Sequence, residues 1–225
     1  MQHIDALFRD VPDVRVQLAP IVKPSLELLP PEQAATLRMA PQRAEEFAAG
    51  RWLARRVLTE FGLGDVAIPM SAERWPIWPQ GIAGSITHSA RSVAVAVSTT
   101  ECFAGLGLDL EQPRRLADEL VSKVLTAREN ATRLAGSDPT LWFACKEAIY
   151  KAVNPMFGEF LEFSDVELEF DGNRFLATCQ ADRVSCAAIN SGWGRFDVTD
   201  CWIQALYVIE QWPADAQGES MVLRK

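Results

Sequence analysis

The sequence is poor in the residues from which common metal and redox sites are built. It holds two histidines and five cysteines among 225 residues, and no two cysteines stand in C-x-x-C spacing. This argues against a zinc site of the usual cysteine and histidine type. The odd cysteine count predicts free thiols in a reducing cytoplasm rather than a disulfide framework. The five thiols are Cys102, Cys145, Cys179, Cys186 and Cys201.

Long apolar runs and excess positive charge are also missing. No run approaches the roughly 18 apolar residues of a transmembrane helix, so no membrane span is predicted. The first residues include Asp5, Arg9 and Asp10 instead of the apolar stretch of a signal peptide, which favours a cytoplasmic protein. The net charge is −8, so nothing supplies the basic field of a general nucleic-acid binder. Any anionic ligand must be met by a local cluster of cations.

What is present is a chain long enough for a hydrophobic core. At 225 residues, with 48% hydrophobic and 23% charged residues, it is one large domain or two small fused ones. A strand–helix–strands pattern occurs twice, with the break near residues 111–113. The sequence therefore predicts a mixed helix and sheet protein.

The stretch 103–111 has the pattern of a strand. Leu106, Leu108 and Leu110 alternate with glycine and acidic residues, so Asp109 and Glu111 share one face about 7 Å apart. Two carboxylates this close repel each other unless a cation joins them, and Mg²⁺ suits such a site because it uses few carboxylates. The alternative is an exposed strand end with two solvated acids. We expect the strand 92–98 to be its antiparallel neighbour.

A helix is predicted over residues 41–61, and its polar face is basic. Arg51 and Arg55 are four residues apart and Arg56 follows, so like charges are neighbours on the helix surface. The face is either a solvated basic surface or a site that grips an anion, for which arginine is well suited.

Polar and aromatic residues follow this helix. Two prolines hold residues 74–81 extended, and Trp75 and Trp78 are either core residues or a wall for a flat ring. A short strand then ends at Thr87, His88 and Ser89. Ser85, Thr87 and Ser89 share one side, which would give His88 phosphate-binding neighbours, although a lone histidine is more often structural.

A second helix is predicted over residues 140–153, begun by Asp138 and Pro139 and ended by Pro155. Glu147 and Lys151 stand four apart in the favoured order, which by itself indicates an ordinary surface pair. Two shorter helical stretches, 116–125 and 128–134, precede it. A hairpin over 163–179 and strands 195–199 and 201–210 follow.

These blocks together resemble the 4′-phosphopantetheinyl transferases, in particular the larger monomeric type that serves peptide and siderophore synthetases. Gly107-Leu-Asp-Leu-Glu111 resembles the family's Gly-(Ile/Val)-Asp-x-Glu, and Trp142-Phe-Ala-Cys-Lys-Glu-Ala-Ile-Tyr-Lys151 resembles its Trp-x-x-Lys-Glu-(Ser/Ala)-x-x-Lys. The stretches 74–81 and 84–89 and the Ala49-Gly50-Arg51 helix are similar to the enterobactin-synthase branch. The match covers about residues 40–165.

The resemblance implies an α+β fold of two similar α/β halves in a pseudo-two-fold arrangement, 1–111 and 112–225. The first half would hold the 3′-phosphate and adenine side of coenzyme A, and the second the acidic helix and the carrier-protein side. It implies Mg²⁺-dependent transfer of the 4′-phosphopantetheine arm to a serine of an apo acyl or peptidyl carrier protein, releasing 3′,5′-ADP. The protein is expected to be a cytoplasmic monomer. Peptide synthetase, polyketide synthase and fatty-acid carriers remain open.

The resemblance also assigns residues. Asp109, Glu111 and Glu147 would hold Mg²⁺, and Glu147 is in addition the candidate general base, a ligand or both. Asp109 and Lys151 complete the catalytic set. Contacts with coenzyme A are expected from eight residues: Arg51, Arg55, Arg74, Thr87, His88, Asp109, Lys146 and Lys151. Arg56 is a further candidate for the 3′-phosphate, beside the three arginines of this set.

Two other functions fit the same residues. A non-catalytic coenzyme A-binding relative would need only the cofactor contacts, and a Mg²⁺-dependent phosphohydrolase would use the acids on water. For a transferase, the helical stretch between the acidic blocks is the expected docking face for the carrier. It mixes apolar and basic residues: Arg114, Arg115, Leu116, Leu120, Val121, Lys123, Leu125 and Arg128.

Overall fold

The computed structural model describes residues 8, 11–22, 27–113, 118–133 and 136–210. It confirms the α+β class. The first half contains β1 (Arg15–Pro20), α1 (Pro30–Thr36), α2 (Pro41–Leu58), β2 (Ile82–Ser89) and β3 (Ser92–Thr99). The remainder contains β4 (Gly105–Glu111), α3 (Asp118–Val124), α4 (Ala127–Thr132), α5 (Thr140–Phe157), β5 (Val166–Asp171), β6 (Arg174–Cys179), α6 (Ser185–Ser191), β7 (Trp193–Val198) and β8 (Ile203–Ile209).

Two antiparallel sheets organise the molecule. The first has the strand order β1-β3-β2 and the second the order β4-β8-β7-β6-β5. Each half has one long helix of 18 residues against its sheet, α2 on β3 and α5 on β4 and β8. A shorter helix precedes each of them along the chain, so the halves share a plan.

The prediction that β3 and β4 are hydrogen-bonded neighbours is wrong. β4 pairs instead with β8, from Gly105↔Ile209 to Glu111↔Ile203, so the sheets part between Thr99 and Gly105. The predicted division at 111 and 112 assigned β4 to the first half. The apolar side of β4 explains its position, because its three leucines enter a core cluster with residues of both sheets.

The other side of β4 lies directly under α5. A Cβ atom on Gly107 would stand 1.8 Å from the Ala148 carbonyl oxygen, and one on Gly105 would stand 2.8 Å from that of Ala152. Glycine is therefore required here for a helix to approach the strand backbone. This contact places Asp109 and Glu111 beside the face of α5 that carries Glu147 and Lys151.

Several predicted boundaries shift. The helix 41–61 is confirmed as α2 followed by a 3₁₀ turn, and it ends at Gly62 with φ 76°. α5 does not end before Pro155 but continues to Phe157 and stops at Gly158, with φ 63°. α1 was not predicted, although its two prolines stand in the first helical turn, where proline is favoured. α6 was also missed.

The structure bears on two predictions made from composition, the state of the cysteines and the absence of a membrane span. Cys179 and Cys186 form a disulfide, so the prediction of five free thiols is wrong for this pair, while Cys102, Cys145 and Cys201 are free. Burial raises the pKa of the Cys145 thiol well above its ordinary value, which disfavours the reactive thiolate form. Among the helices of the described residues, none is long and apolar enough to cross a membrane.

Candidate functional site

A cleft of about 430 Å³ lies between the two halves. One wall comes from α2, the segment 70–76 and β2, and the other from β4 and α5. From the first half it is lined by Arg43, Glu46, Phe47, Arg51, Met70, Glu73, Arg74, Trp75, Pro76, Gly84, Ser85, Ile86, Thr87 and His88. From the second half it is lined by Asp109, Glu111, Phe143, Glu147, Tyr150, Lys151, Asn154 and Pro155.

Asp109 is the most buried acid of the cleft, with 3% of its surface exposed. Its Oδ1 atom accepts from the Lys151 ammonium and from Thr87 Oγ1 at 3.0 Å. Lys151 Nζ also donates to Thr87 Oγ1 at 3.2 Å. The second oxygen, Oδ2, is buried and has no hydrogen-bond partner among the described residues. An unpartnered buried carboxylate oxygen is costly, and a cation would offset that cost.

Glu147 lies beside this group. Burial is the largest cause that raises the pKa of its carboxyl, and the charges of Asp109 and Glu111 raise it further. The Lys151 ammonium opposes the shift. Burial and the Glu147 charge also raise the pKa of Tyr150. A buried carboxyl with a raised pKa in a cleft is typical of a general base or acid.

The three carboxylates do not form a ligand shell by themselves. Within the described part of the chain, no three histidine, cysteine, aspartate or glutamate side chains are gathered in a way that could hold a metal ion. Mg²⁺, however, is held in phosphate-transfer sites by one or two carboxylates together with substrate oxygens. The hard oxygen donors and the unpartnered Asp109 Oδ2 fit a cation that a bound phosphate group helps to hold.

The alternation of β2 separates its hydroxyls from its histidine. Ser85 Oγ donates to the Leu108 carbonyl at 3.4 Å, and Ser89 Oγ donates to Glu111 Oε2 at 3.4 Å, so this face of β2 meets β4. His88 points the other way, towards α2. His88 therefore lines the same cleft as Ser85 and Thr87, but its ring faces away from their hydroxyls, because neighbouring strand residues face opposite sides.

His88 is held between two residues of α2. Arg43 Nη1 donates to its Nε2, and Glu46 Oε2 lies 3.4 Å from its Nδ1. Burial, with Arg43 next, lowers the pKa of His88, and this favours the neutral ring. Both ring nitrogens of His88 thus face α2, one towards Arg43 and one towards Glu46.

Arg51 is buried on the same helix. Its Nε donates to the Ile68 carbonyl at 2.8 Å, and its guanidinium carbon stands 4.0 Å above the centre of the Phe47 ring. Desolvation by burial lowers the pKa of Arg51 to about 10, while the Glu32 charge opposes the shift. The group stays charged at neutral pH, and a buried cation at a cleft wall suits a phosphate.

Two predicted cofactor residues are not brought to the cleft. Arg55 lies on another side of α2, where Glu32 accepts from its Nη1 at 2.7 and 2.8 Å. Lys146 is 4% exposed and donates to Glu129 at 2.7 Å. A helix turns about 100° per residue, so Lys146 and Glu147 cannot share a face. Arg56 stacks on Trp52 and does not line the cleft either.

The segment 74–81 divides its aromatic residues between two roles. Arg74, with φ 80°, and Trp75 line the cleft. Trp78 covers Gly84 so closely that a Cβ there would stand 2.6 Å from its ring. Trp78 therefore packs against a core cluster, whereas Trp75 lies at the cleft, where its role as a wall for a flat ring stays a prediction.

Sequence reasoning missed several lining residues. Arg43 and Phe47 stand eight and four residues before Arg51, so helical spacing alone places the three on one stripe of α2. Phe143 stands four before Glu147 in the same way. It reaches the cleft, whereas Trp142 packs in the core against Phe170 with ring centres 5.1 Å apart. Phe143, not Trp142, takes the aromatic position of the helix motif.

Comparison with known proteins identifies the same two regions. The profile described as "4′-phosphopantetheinyl transferase N-terminal domain" matches residues 31–98. The profile described as "4′-phosphopantetheinyl transferase superfamily" matches residues 105–201.

Of three similar proteins, two carry the same name, and the third is a component of enterobactin synthase. The 4′-phosphopantetheinyl transferase Svp of Streptomyces mobaraensis is 34% identical over 73% of this chain and 66% of its own length. Npt of Nocardia iowensis, also a 4′-phosphopantetheinyl transferase, is 31% identical over 65% of this chain and 68% of its own length. Enterobactin synthase component D of Salmonella typhi is 34% identical over 49% and 48%. The chain thus spans about two thirds of the first two and about half of the third.

Proposed function

The chain belongs to the 4′-phosphopantetheinyl transferase superfamily, and we propose that it transfers the 4′-phosphopantetheine arm of coenzyme A to a serine of an apo acyl or peptidyl carrier protein, releasing 3′,5′-ADP. The observation that carries this proposal is the grouping of Asp109, Glu147 and Lys151 at one cleft between the halves. Similarity to the 4′-phosphopantetheinyl transferases Svp and Npt supports the transfer, and similarity to enterobactin synthase component D supports a carrier of a siderophore synthetase.

Coenzyme A would lie with its phosphates along the cations of the cleft. The first half offers Arg43, Arg51 and Arg74, and the second offers Lys151. Since the whole chain carries −8, this local cluster is what attracts an anionic cofactor. Thr87 and His88 border the same wall, and Trp75 offers a flat apolar surface there.

Mg²⁺ would be held by Asp109, Glu111 and Glu147 together with phosphate oxygens of the bound coenzyme A, since among the described residues the carboxylates alone form no ligand shell. When bound, it would neutralise charge on the pyrophosphate and polarise the phosphorus that is attacked. The residues of the chain do the rest. Lys151 supplies a second positive charge beside Asp109, and Thr87 fixes the Asp109 carboxylate through its hydroxyl.

Glu147 is the proposed general base. Its raised pKa makes it a better proton acceptor than a solvated glutamate. It would take the proton of the carrier serine hydroxyl while that oxygen attacks phosphorus. The bond that breaks joins this phosphorus to the bridging oxygen, and 3′,5′-ADP leaves with that oxygen.

The test is mass spectrometry of an apo carrier domain incubated with the protein, coenzyme A and Mg²⁺. The transferase adds a phosphopantetheine arm to the carrier serine, and a carrier Ser→Ala variant stays unmodified. A phosphohydrolase would release phosphopantetheine to solution and leave the carrier unchanged. A non-catalytic binder would change neither, and either result overturns the proposal.

Arg51 is proposed to meet the 3′-phosphate. Arg51→Ala is expected to lower kcat/KM for coenzyme A by about tenfold or more, the effect of losing one charge-assisted hydrogen bond. Dephospho-coenzyme A lacks this phosphate, so the same substitution should change its kcat/KM much less. The measurement is the ratio of kcat/KM for the two cofactors in parent and variant. If the variant discriminates between coenzyme A and dephospho-coenzyme A as well as the parent does, Arg51 does not contact the 3′-phosphate.

The carrier is proposed to dock on α3. Leu120 is 48% exposed, whereas Val121 packs against the core of the second half, so Leu120 is the one to test. Arg114, Arg115 and Leu116 of the predicted docking face lie outside the described residues. Lys123 and Arg128 are the two cations of this face within the described residues. Because two charges contribute little, carrier binding should depend on apolar contact and only weakly on salt concentration.

Leu120→Glu is expected to raise the KM for the carrier by about tenfold, since a charge would be buried in the complex, and to leave the KM for coenzyme A unchanged. Steady-state kinetics with each substrate varied in turn measures both values. Leu176→Glu, at a 57% exposed position on β6, is the matched control. If the two KM values rise together, or neither changes, the carrier docks elsewhere.

A further inference from the structure

Glu32, on α1, is at the centre of a buried hydrogen-bonded hub. Its side chain has no exposed surface and accepts from the Leu29 amide at 2.9 Å, the Ile68 amide at 2.9 Å and the Arg55 guanidinium. Arg55 Nη2 in turn donates to the Glu27 carbonyl at 2.7 Å. The hub therefore ties the start of α1, the end of α2 and residue 68 together.

Glu129, on α4, forms a second hub of the same design. It is 2% exposed and accepts from the Thr126 amide at 2.7 Å, the Leu168 amide at 2.8 Å and Lys146 Nζ at 2.7 Å. Lys146 Nζ also donates to the Val124 carbonyl at 2.8 Å. Its third donation goes to the carbonyl of Phe163 at 2.9 Å, so all three of its protons are used.

The hubs match position by position. In each hub, the glutamate accepts from the backbone amide three residues before the glutamate. The cation that pairs with it donates to the backbone carbonyl five residues before the glutamate. The cation comes from the 18-residue helix of the same half. Arginine late in α2 serves one hub, and lysine early in α5 serves the other. The two halves therefore share a detailed internal arrangement.

Fully buried ion pairs are weak contributors to stability, because desolvation offsets most of their attraction. Apolar residues of similar volume would often serve stability as well. A fully hydrogen-bonded buried pair does fix geometry, since each donor has one acceptor at a defined distance. The contacts that each hub fixes therefore indicate what it is for.

Each hub contacts a part of the site proposed for a different substrate. Glu32 holds the Ile68 amide, and the Ile68 carbonyl holds Arg51 Nε at 2.8 Å, on the wall proposed for coenzyme A. The second hub joins the end of α3 to α5 through Lys146, the residue next to Glu147. It thereby sets the proposed carrier-facing helix relative to the proposed base.

We propose that the two hubs are separate positioning devices for the two substrates. The Glu32–Arg55 hub positions Arg51 and the wall that meets coenzyme A. The Glu129–Lys146 hub positions α3 and Glu147 for the carrier serine. The assignment rests on the proposed transferase activity, but each hub also has a consequence that is measured without turnover.

The experiment compares two double variants, Glu32→Gln/Arg55→Met and Glu129→Gln/Lys146→Met. Each removes both charges at once, so no unpaired buried charge remains. Loss of the first hub should raise the KM for coenzyme A about tenfold and change that for the carrier less than about twofold, and loss of the second should do the reverse. Arg15→Met/Glu60→Gln removes an exposed ion pair and is the control, with both values unchanged.

Readouts without turnover separate this proposal from the proposed function. Calorimetric affinity for coenzyme A should fall about tenfold in the first variant and stay constant in the second. Amide exchange should rise over residues 118–133 only in the second. Should a double variant fail to fold, Arg55→Lys and Lys146→Arg give each hub the cation of the other, with the same split expected at smaller size. Equal changes in both KM values, or no change in either KM or affinity, overturn the proposal.

Discussion

Replacing Asp109 by alanine is expected to lower the rate of phosphopantetheine transfer about 10³-fold or more. One carboxylate orients Lys151 and Thr87 in this structure, and its second oxygen is buried without a partner among the described residues. Its loss would remove both this orientation and the proposed Mg²⁺ ligand, whose charge stabilisation amounts to several kcal/mol.

The measurement is kcat for the variant at saturating Mg²⁺ and coenzyme A, beside the melting temperature. The fold should survive, because Asp109 binds polar groups of the cleft and the apolar contacts of β4 are made by its leucines. Asp171→Ala, at the end of β5 away from the cleft, is the matched control. Activity of Asp109→Ala within threefold of the parent contradicts its assignment as a metal ligand.

The side chains that share a face at the cleft could be predicted, because each pair lies within one strand or one helix. The alternation in β4 predicts that Asp109 and Glu111 share a face, and the four-residue spacing in α5 predicts the same for Glu147 and Lys151. Both predictions need only the geometry of one element. The structure brings these residues to one cleft, and their roles stay proposals.

The partner of each cation could not be predicted in the same way. Arg51 and Arg55 are alike in sequence, but Glu32, 23 residues before Arg55, takes the second out of the cleft. Lys146 is adjacent to Glu147 but is held by Glu129 on the other side of α5. Long-range pairing of this kind depends on how the helices pack, and helical spacing within α2 or α5 carries no information about it. The choice of β8 over β3 as the partner of β4 likewise depends on long-range packing, because the leucines of β4 enter a core cluster with residues of both sheets.

Glu147→Gln is expected to lower kcat about 10²- to 10⁴-fold while leaving the KM for coenzyme A within a few-fold. Glutamine keeps the shape of the side chain but cannot accept the serine proton. Burial and the charges of Asp109 and Glu111 raise the pKa of Glu147. Protonation removes the base, so kcat of the parent should fall as the pH drops through this raised pKa. The limb should lie above the ordinary range of about 4.3 and be absent in the variant.

The same raised pKa makes a stability prediction of opposite direction. The folded protein binds the Glu147 proton more tightly than the unfolded chain does. This contribution to the free energy of unfolding is complete below the unfolded pKa and is lost as the pH rises through the folded one. At neutral pH the charge of this partly buried carboxylate is a cost that glutamine lacks, so the variant should unfold at a temperature equal to or above that of the parent.

Thermal unfolding and kcat, each measured from pH 5 to 8, test the pair of effects, with Glu60→Gln as the exposed control. A variant that keeps kcat within about threefold places the base on another group, and one that loses both activity and stability makes Glu147 a packing residue.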